Sequence, residues 1–159
     1  MADIFETLEQ LAACLCVQIE DDGLMDPCFC GVVPGTAMVY GYLGDNCEQG
    51  VAWVRLEMAY PANAVGQMAI AEGNCESSLG ADVEVGILRP MPVGDEFGNL
   101  PSGEIITGIA GLQLADAITM RKAISCCSHA EEWILGGYTP LGPEGGVVGG
   151  TWTVNMIGG

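Results

Sequence analysis

Cysteine is the residue type in this chain whose side chain could do the widest range of chemistry. The sequence has eight cysteines, and the close pairs are Cys14 with Cys16, Cys28 with Cys30, and Cys126 with Cys127. Zinc sites are usually built from C-x-x-C pairs, and none of these pairs has that spacing. On a helix Cys14 and Cys16 point in different directions, whereas on a strand Cys28 and Cys30 share a face. The pattern therefore favours small buried side chains that pack helices on a sheet, with no metal bound.

Two other interpretations of the cysteines remain open. Cys47 and Cys75 lie in segments that flank neighbouring predicted strands, so the sequence is compatible with a disulfide between them. A reducing cytoplasm opposes disulfides, whereas release into an oxidising medium would allow one to form later. A small metal-binding or redox module that uses the cysteines is the alternative function from a different class.

The remaining reactive side chains form no recognisable catalytic pattern. His129 is the only histidine, and a lone histidine beside a turn is more often a surface or capping residue than a catalyst. The glycine-rich residues 145–150 lie between two predicted strands and lack the spacing of a nucleotide-binding loop, which favours a hairpin or strand. Adjacent acids beside turns lack the alternating oxygen ligands of a calcium loop; they are Asp21-Asp22, Asp95-Glu96 and Glu131-Glu132. We therefore predict no enzyme, and no catalytic, cofactor-binding or metal-binding residues.

The charge of the chain restricts its partners. The sequence has 4 Lys and Arg against 21 Asp and Glu, for a net charge of −17. A nucleic-acid-binding surface needs a broad basic patch, which so few cations cannot form, and an anionic membrane surface would repel this chain. The N-terminus lacks a secretory signal pattern, and no stretch of about 20 apolar residues could span a bilayer. We expect a soluble protein, made in a cytoplasm, that binds other proteins and no membrane.

Hydrophobic periodicity predicts the elements that would position these residues. Residues 3–20 have apolar side chains at helical spacing, including Phe5, with Asp3 as N-cap and Gly23 as the stop. The turn-rich residues that follow contain one short strand at 28–33. Alternating apolar residues predict further strands, separated by loops and turns; the strands are 51–60 (ended by Pro61), 82–89, 131–139 and 147–157, and the connections are 61–80, 90–101 and 140–146.

The longest predicted helix covers residues 102–127, with Ser102 as its N-cap. Its apolar positions extend beyond the single stripe of an ordinary surface helix. One side would pack on the chain's own sheet, and the other would lie either deep in the core or against a neighbouring subunit. Together the elements predict one α+β domain of residues 1–159: a small, mostly antiparallel β-sheet with an N-terminal helix and a long central helix packed on one face.

Several short segments form an ordered set from about residue 28 to the end of the chain. They are Cys28-Phe29-Cys30-Gly31, Ala52-Trp53-Val54-Arg55-Leu56, Tyr60-Pro61, Val83-Glu84-Val85-Gly86-Ile87-Leu88-Arg89, Leu112-Gln113-Leu114-Ala115-Asp116, Cys126-Cys127, Tyr138-Thr139-Pro140-Leu141-Gly142-Pro143 and Gly149-Gly150-Thr151-Trp152. The set resembles the tail-terminator family of siphophages that infect actinobacteria. Relatives carry Cys-Pro where this chain has Pro90-Met91-Pro92, so the resemblance assigns no disulfide pairing here.

The resemblance implies a fold and a function. Such proteins have an α/β fold with helices against a small sheet, and they assemble as six-membered rings that cap the finished tail tube and join it to the head connector. By this resemblance we expect a hexameric ring at the head–tail junction of the virion. It would contact the major tail tube protein and the head-completion (stopper) protein, and DNA would pass through its lumen without specific binding. Another neck component, such as a head-completion stopper, is the alternative.

A lumen of this kind predicts a sign for its charge. A cationic wall would hold the anionic genome through counterion release, whereas an acidic wall would repel it at close range. We therefore expect the inner wall to be negative, with acidic loop residues such as Asp95 and Glu96, or Glu131 and Glu132, supplying the charge.

Overall fold

The computed structural model describes residues 3–44, 46–64, 67–68, 78–91, 97–128, 133–144 and 146–158. Within these ranges, the segments of alternating apolar residues form long strands. The elements in chain order are α1 (Ile4–Asp21), β1 (Phe29–Val32), α2 (Thr36–Gly44), β2 (Val51–Ala64), β3 (Gln67–Met68), β4 (Ser78–Pro90), α3 (Gly103–Cys126), β5 (Trp133–Glu144) and β6 (Val147–Gly158). The sheet has the order β1-β2-β4-β6-β5, with β3 paired to β2. Only β1 and β2 pair in parallel among the described strands. The predicted α+β fold with a mostly antiparallel sheet is confirmed.

The two faces of the sheet belong to two separate cores. Val83, Val85 and Ile87 of β4 join the larger core, which α1 and α3 cover as predicted. Trp53 and Leu88 point to the opposite face, because alternate residues of a strand do so, and there they join the smaller core. That second core includes residues of α2, so helices lie on both faces rather than on one.

Helix α2 is absent from the sequence prediction because glycines within and just before it indicate turns. Its hydrophobic residues also lack a clear helical stripe. Contacts with the rest of the protein stabilise the helix, because Val39 is completely buried in the smaller core with Trp53. Tertiary packing therefore overrides a weak local preference here.

Helix α1 begins and ends as predicted. The Asp3 carboxylate accepts the backbone N–H groups of Phe5 and Glu6, which satisfies donors that have no partner inside the helix. Gly23 follows the last turn with a φ of +68°, a conformation that favours glycine. The prediction for Phe5 is wrong, because its side chain is 58% exposed rather than turned to the core.

Two strands continue through prolines that were predicted to end them. Strand β2 passes Pro61 and ends at Ala64, at a point beyond the four residues that pair with β1. Strand β5 passes Pro140 and ends at Glu144, so the predicted turn at 140–146 is shorter. Because β5 is an edge strand, a missing backbone N–H costs no ladder hydrogen bond on its outer side.

Candidate interaction surfaces

Six of the eight cysteines form disulfides, in the pairs Cys14–Cys127, Cys16–Cys30 and Cys28–Cys47. The sequence analysis interpreted the close cysteine pairs as small packing residues, and Cys14, Cys30 and Cys127 do pack in the larger core. It did not predict the bridges, in which every cysteine of the close pairs except Cys126 takes part. The two directions taken by Cys14 and Cys16 on α1 lead to different partners, at the end of α3 and on β1. The third bridge ties the chain just before β1 to the loop before β2.

The remaining two cysteines are Cys126 and Cys75. Cys126 is exposed and lies outside any disulfide. The pairing of Cys47 with Cys75 is contradicted, because Cys47 is bonded to Cys28, and Cys75 itself lies outside the described residues. A cysteine binds a metal as its thiolate, so the bridged cysteines have no free thiolate to offer. Within the described ranges, no group of three or more His, Cys, Asp or Glu side chains could hold a metal ion.

The predicted acidic turns are only partly described. His129, Asp95, Glu96, Glu131 and Glu132 lie outside the described residues.

Asp22 has a structural role at the contact between α1 and α3. Its carboxylate accepts the Thr119 hydroxyl at 2.7 Å and the Gln18 amide at 2.9 Å, and it pairs with Lys122 at 3.4 Å. The hydrogen bond from Thr119 is the main cause of a lowered pKa for Asp22. This carboxylate ties two helices together, which accounts for its contacts without a catalytic role.

Arg89 and Asp116 form a buried ion pair that fixes α3 to the sheet. Arg89 Nε and Nη2 donate to the two carboxylate oxygens of Asp116 at 2.6 and 2.8 Å, and Nη1 donates to the Gln49 carbonyl at 2.6 Å. The two side chains are only 7% and 2% exposed. A bidentate pair of this kind is geometrically specific, so it sets where α3 crosses the end of β4.

Further polar contacts join the middle of α3 to β6. The Gln113 amide donates to the Gly149 carbonyl, and the Trp152 indole N–H donates to the Ala117 carbonyl at 2.9 Å. Tyr138 packs against Trp152, with ring centroids 5.5 Å apart. All of these residues except Ala117 come from segments that the sequence analysis singled out, and the structure brings those segments together where α3 packs on the sheet.

The Tyr138 side chain is closely packed between the Trp152 ring and Gly150. Its hydroxyl is buried and has no hydrogen-bond partner among the described residues. A Cβ atom added to Gly150 would lie 2.1 Å from that hydroxyl, so only glycine fits beneath the ring. Burial, with the nearby charge of Asp116, raises the pKa of Tyr138 to about 12. The described contacts of Tyr138 are packing contacts, with the Trp152 ring and over Gly150.

The first half of α3 carries an apolar surface that the described part of the chain leaves uncovered. In the second half of the helix, Met120 and Ile124 are buried. Ile105, Ile109 and Leu112 continue that inward face at intervals of four and three residues, and we call them the α3 stripe. Ile105 is 48% and Leu112 is 40% exposed, whereas the inward face of the second half of α3 is buried.

The opposite side of α3 is apolar as well. Leu114 is 62% and Ile118 is 50% exposed on the outward face. The prediction that apolar residues occupy more than one side of this helix is confirmed. The interpretation that places all of them deep in the core is wrong, since both these side chains face outward.

An open apolar groove of about 950 Å³ lies between α1 and the β1 edge of the sheet. Phe5 and Ala13 of α1 form one wall, residues 29–34 form another, and Leu56 and Leu79 line it from β2 and β4. We call this the α1 groove. Glu9 is the single charged side chain among the described residues that line it. The sequence analysis missed this groove, because Phe5 falls on the helix face that it assigned to the core, and the exposure of Phe5 is visible only in the folded chain.

Comparison with protein-family models and with curated proteins finds no match for this chain. Among the described residues, no helix combines the length and the apolar character needed to cross a membrane.

Proposed function

We propose that this chain is a structural protein of a phage virion: the tail terminator, whose copies form a ring that caps the tail tube and joins it to the head connector. The α3 stripe is the observation that carries the proposal. Copies with a charge of −17 each repel one another, so lasting contact between them needs an apolar surface. The stripe is such a surface, on the helix that the buried pair of Arg89 and Asp116 fixes in place.

The distribution of cations supports passage of DNA through such a ring. Three of the four cations are compensated by acids: Arg55 by Glu84, Arg89 by Asp116, and Lys122 by Asp22. Without a cluster of uncompensated cations, a ring has little to hold a phosphate backbone by counterion release. The acids proposed for the lumen, Asp95, Glu96, Glu131 and Glu132, lie outside the described residues, so the sign of the wall remains part of the proposal.

A head-completion stopper is the second candidate, since it is also a ring of the neck. The two functions differ in what happens to the tail. A terminator stops growth of the tube, so a phage without it should make tails of abnormal length that fail to join heads. A stopper acts on the head side, so its loss should leave tails of normal length that remain unjoined.

Electron microscopy of lysates from a phage with this gene deleted tests the proposal directly. We expect long or irregular tails, full heads without tails, and recovery of normal particles when the intact gene is supplied in trans. Unjoined tails of normal length would support the stopper, and normal infectious particles would contradict both functions. Elemental analysis provides an independent check: stoichiometric zinc or iron retained through gel filtration would favour the module that uses the cysteines.

A further inference from the structure

We propose that the α3 stripe of one copy docks into the α1 groove of the next copy. This inference rests on the proposed ring function and names the contact that would build the ring. The stripe and the groove are different surfaces of the same chain, so their contact is head-to-tail. A head-to-tail contact generates a closed ring when the rotation between copies closes, as a terminator requires.

The stripe has the pattern of a helix that binds in a groove. Its anchors Ile105, Ile109 and Leu112 stand at positions i, i+4 and i+7, the spacing with which an amphipathic helix lays one face into a hydrophobic groove. The exposed turns at 103–112 are about 15 Å long at 1.5 Å per residue. They are already helical as part of α3, so docking need not fold them, and less conformational entropy is lost than for a disordered segment.

The α1 groove offers a chemically matched surface. Phe5, Leu56 and Leu79 are large apolar side chains that remain substantially exposed at its edges. Exposed apolar residues gathered in one concave place indicate an interaction site more than scattered ones do. An apolar helix that fills the groove would remove these side chains from water.

Charge allows a second copy as the occupant, because the two surfaces are poor in charge on an otherwise strongly acidic chain. The chain is strongly acidic, so most pairs of surfaces from two copies would bring like charges together. The exposed turns at 103–112 carry Glu104 as their single charge, and the groove carries Glu9 as its single charge among described residues. These two surfaces are therefore able to meet with little repulsion, while the acidic remainder of each copy stays in water.

Three double variants of the purified, oxidised chain test this contact. The stripe variant is Ile105→Lys with Leu112→Lys, and the groove variant is Phe5→Lys with Leu79→Lys. The matched control is Met25→Lys with Ile134→Lys, which changes exposed apolar residues away from both surfaces. Each pair adds two positive charges, so the net charge goes from −17 to −17 + 2 = −15. A loss of assembly cannot then come from greater overall repulsion.

Light scattering after gel filtration, over a series of concentrations, measures the mass. We expect the intact chain and the control to assemble, and the stripe and groove variants to remain monomeric with unchanged circular dichroism. An equimolar mixture of those two variants should form one-to-one dimers and nothing larger. The mixture retains one intact stripe and one intact groove, on different copies, so one contact can form but the chain cannot extend.

Several outcomes would overturn the inference. If the groove variant assembles like the intact chain, the α1 groove is not the surface that binds the α3 stripe. A mixture that stays monomeric shows that the two surfaces do not meet, and an intact chain that is monomeric at every concentration shows that the contact is too weak to build a ring. Each result leaves the tail-length phenotype of the deleted phage unaffected, so the neck function is decided separately.

Discussion

Replacing Asp116 with asparagine should destabilise this protein far more than the small chemical change suggests. The substitution keeps the shape of the side chain and one acceptor, but it removes the negative charge that faces Arg89. The guanidinium is 7% exposed and cannot turn to water. It would keep the Gln49 carbonyl, which accepts at 2.6 Å, as its main remaining partner. The folded state would then bury an uncompensated positive charge.

The size of the effect follows from that burial. Breaking a buried ion pair by removing one partner costs about 3–5 kcal/mol, and the retained acceptor of asparagine places Asp116→Asn near 3 kcal/mol. In a chain of this size each 1 kcal/mol lowers the melting temperature by about 2–4 °C, so we expect a decrease of about 6–12 °C. Urea unfolding followed by circular dichroism, without reductant, gives the free energy directly.

Glu84→Gln is the matched control, since it also converts an acid into its amide opposite an arginine. The Arg55–Glu84 pair is more accessible, at 20% and 14% exposure, so water screens it in part and the loss should be smaller, about 1–2 kcal/mol. Equal losses for the two variants would refute the reasoning from burial. The double variant Arg89→Met with Asp116→Leu should recover much of the loss, because apolar residues can replace a buried pair at little cost; failure to recover would assign the loss to packing.

Three further expectations follow from single sites. Gly150→Ala should cost about 1–3 kcal/mol through overpacking, since its Cβ would lie 2.1 Å from the Tyr138 hydroxyl, whereas Gly137→Ala meets nothing within 4 Å and should be nearly neutral in urea unfolding. The Tyr138 phenol has a pKa raised to about 12, so it should ionise last in an ultraviolet titration. Because the unfolded chain loses this proton near pH 10 and the folded chain does not, the free energy of unfolding should fall as pH rises from about 10 to 12. Ionisation of every tyrosine near pH 10 would contradict this. Replacing Cys14 and Cys127 with serine opens a bridge that spans 113 residues and should cost about 2–5 kcal/mol; an unchanged urea midpoint would mean that the bridge is not formed in solution.

Local patterns predicted the regular elements well where the chain's own residues determine them. Asp3, Gly23 and Ser102 set helix ends through hydrogen bonds and backbone freedom within a few residues, and the sequence therefore reveals them. The alternation in β4 likewise shows which side chains face the core. The sequence predictions are wrong where a distant part of the chain determines the local structure. Helix α2 depends on packing in the smaller core, and the edge position of β5 permits Pro140 inside a strand.

The cysteines and the candidate surfaces show the same division at the level of function. The sequence by itself determined the acidity of the chain, the lack of a recognisable catalytic motif and the two-sided apolar character of the residues that form α3, because these are properties of composition and short-range spacing. Tertiary structure alone decided that Cys14 reaches Cys127, that Arg89 meets Asp116, and that the apolar residues in the first turns of α3 stay exposed. Disulfide partners, buried charge pairs and uncovered surfaces are all fixed by distances between residues far apart in the chain, and such distances exist only once the chain has folded.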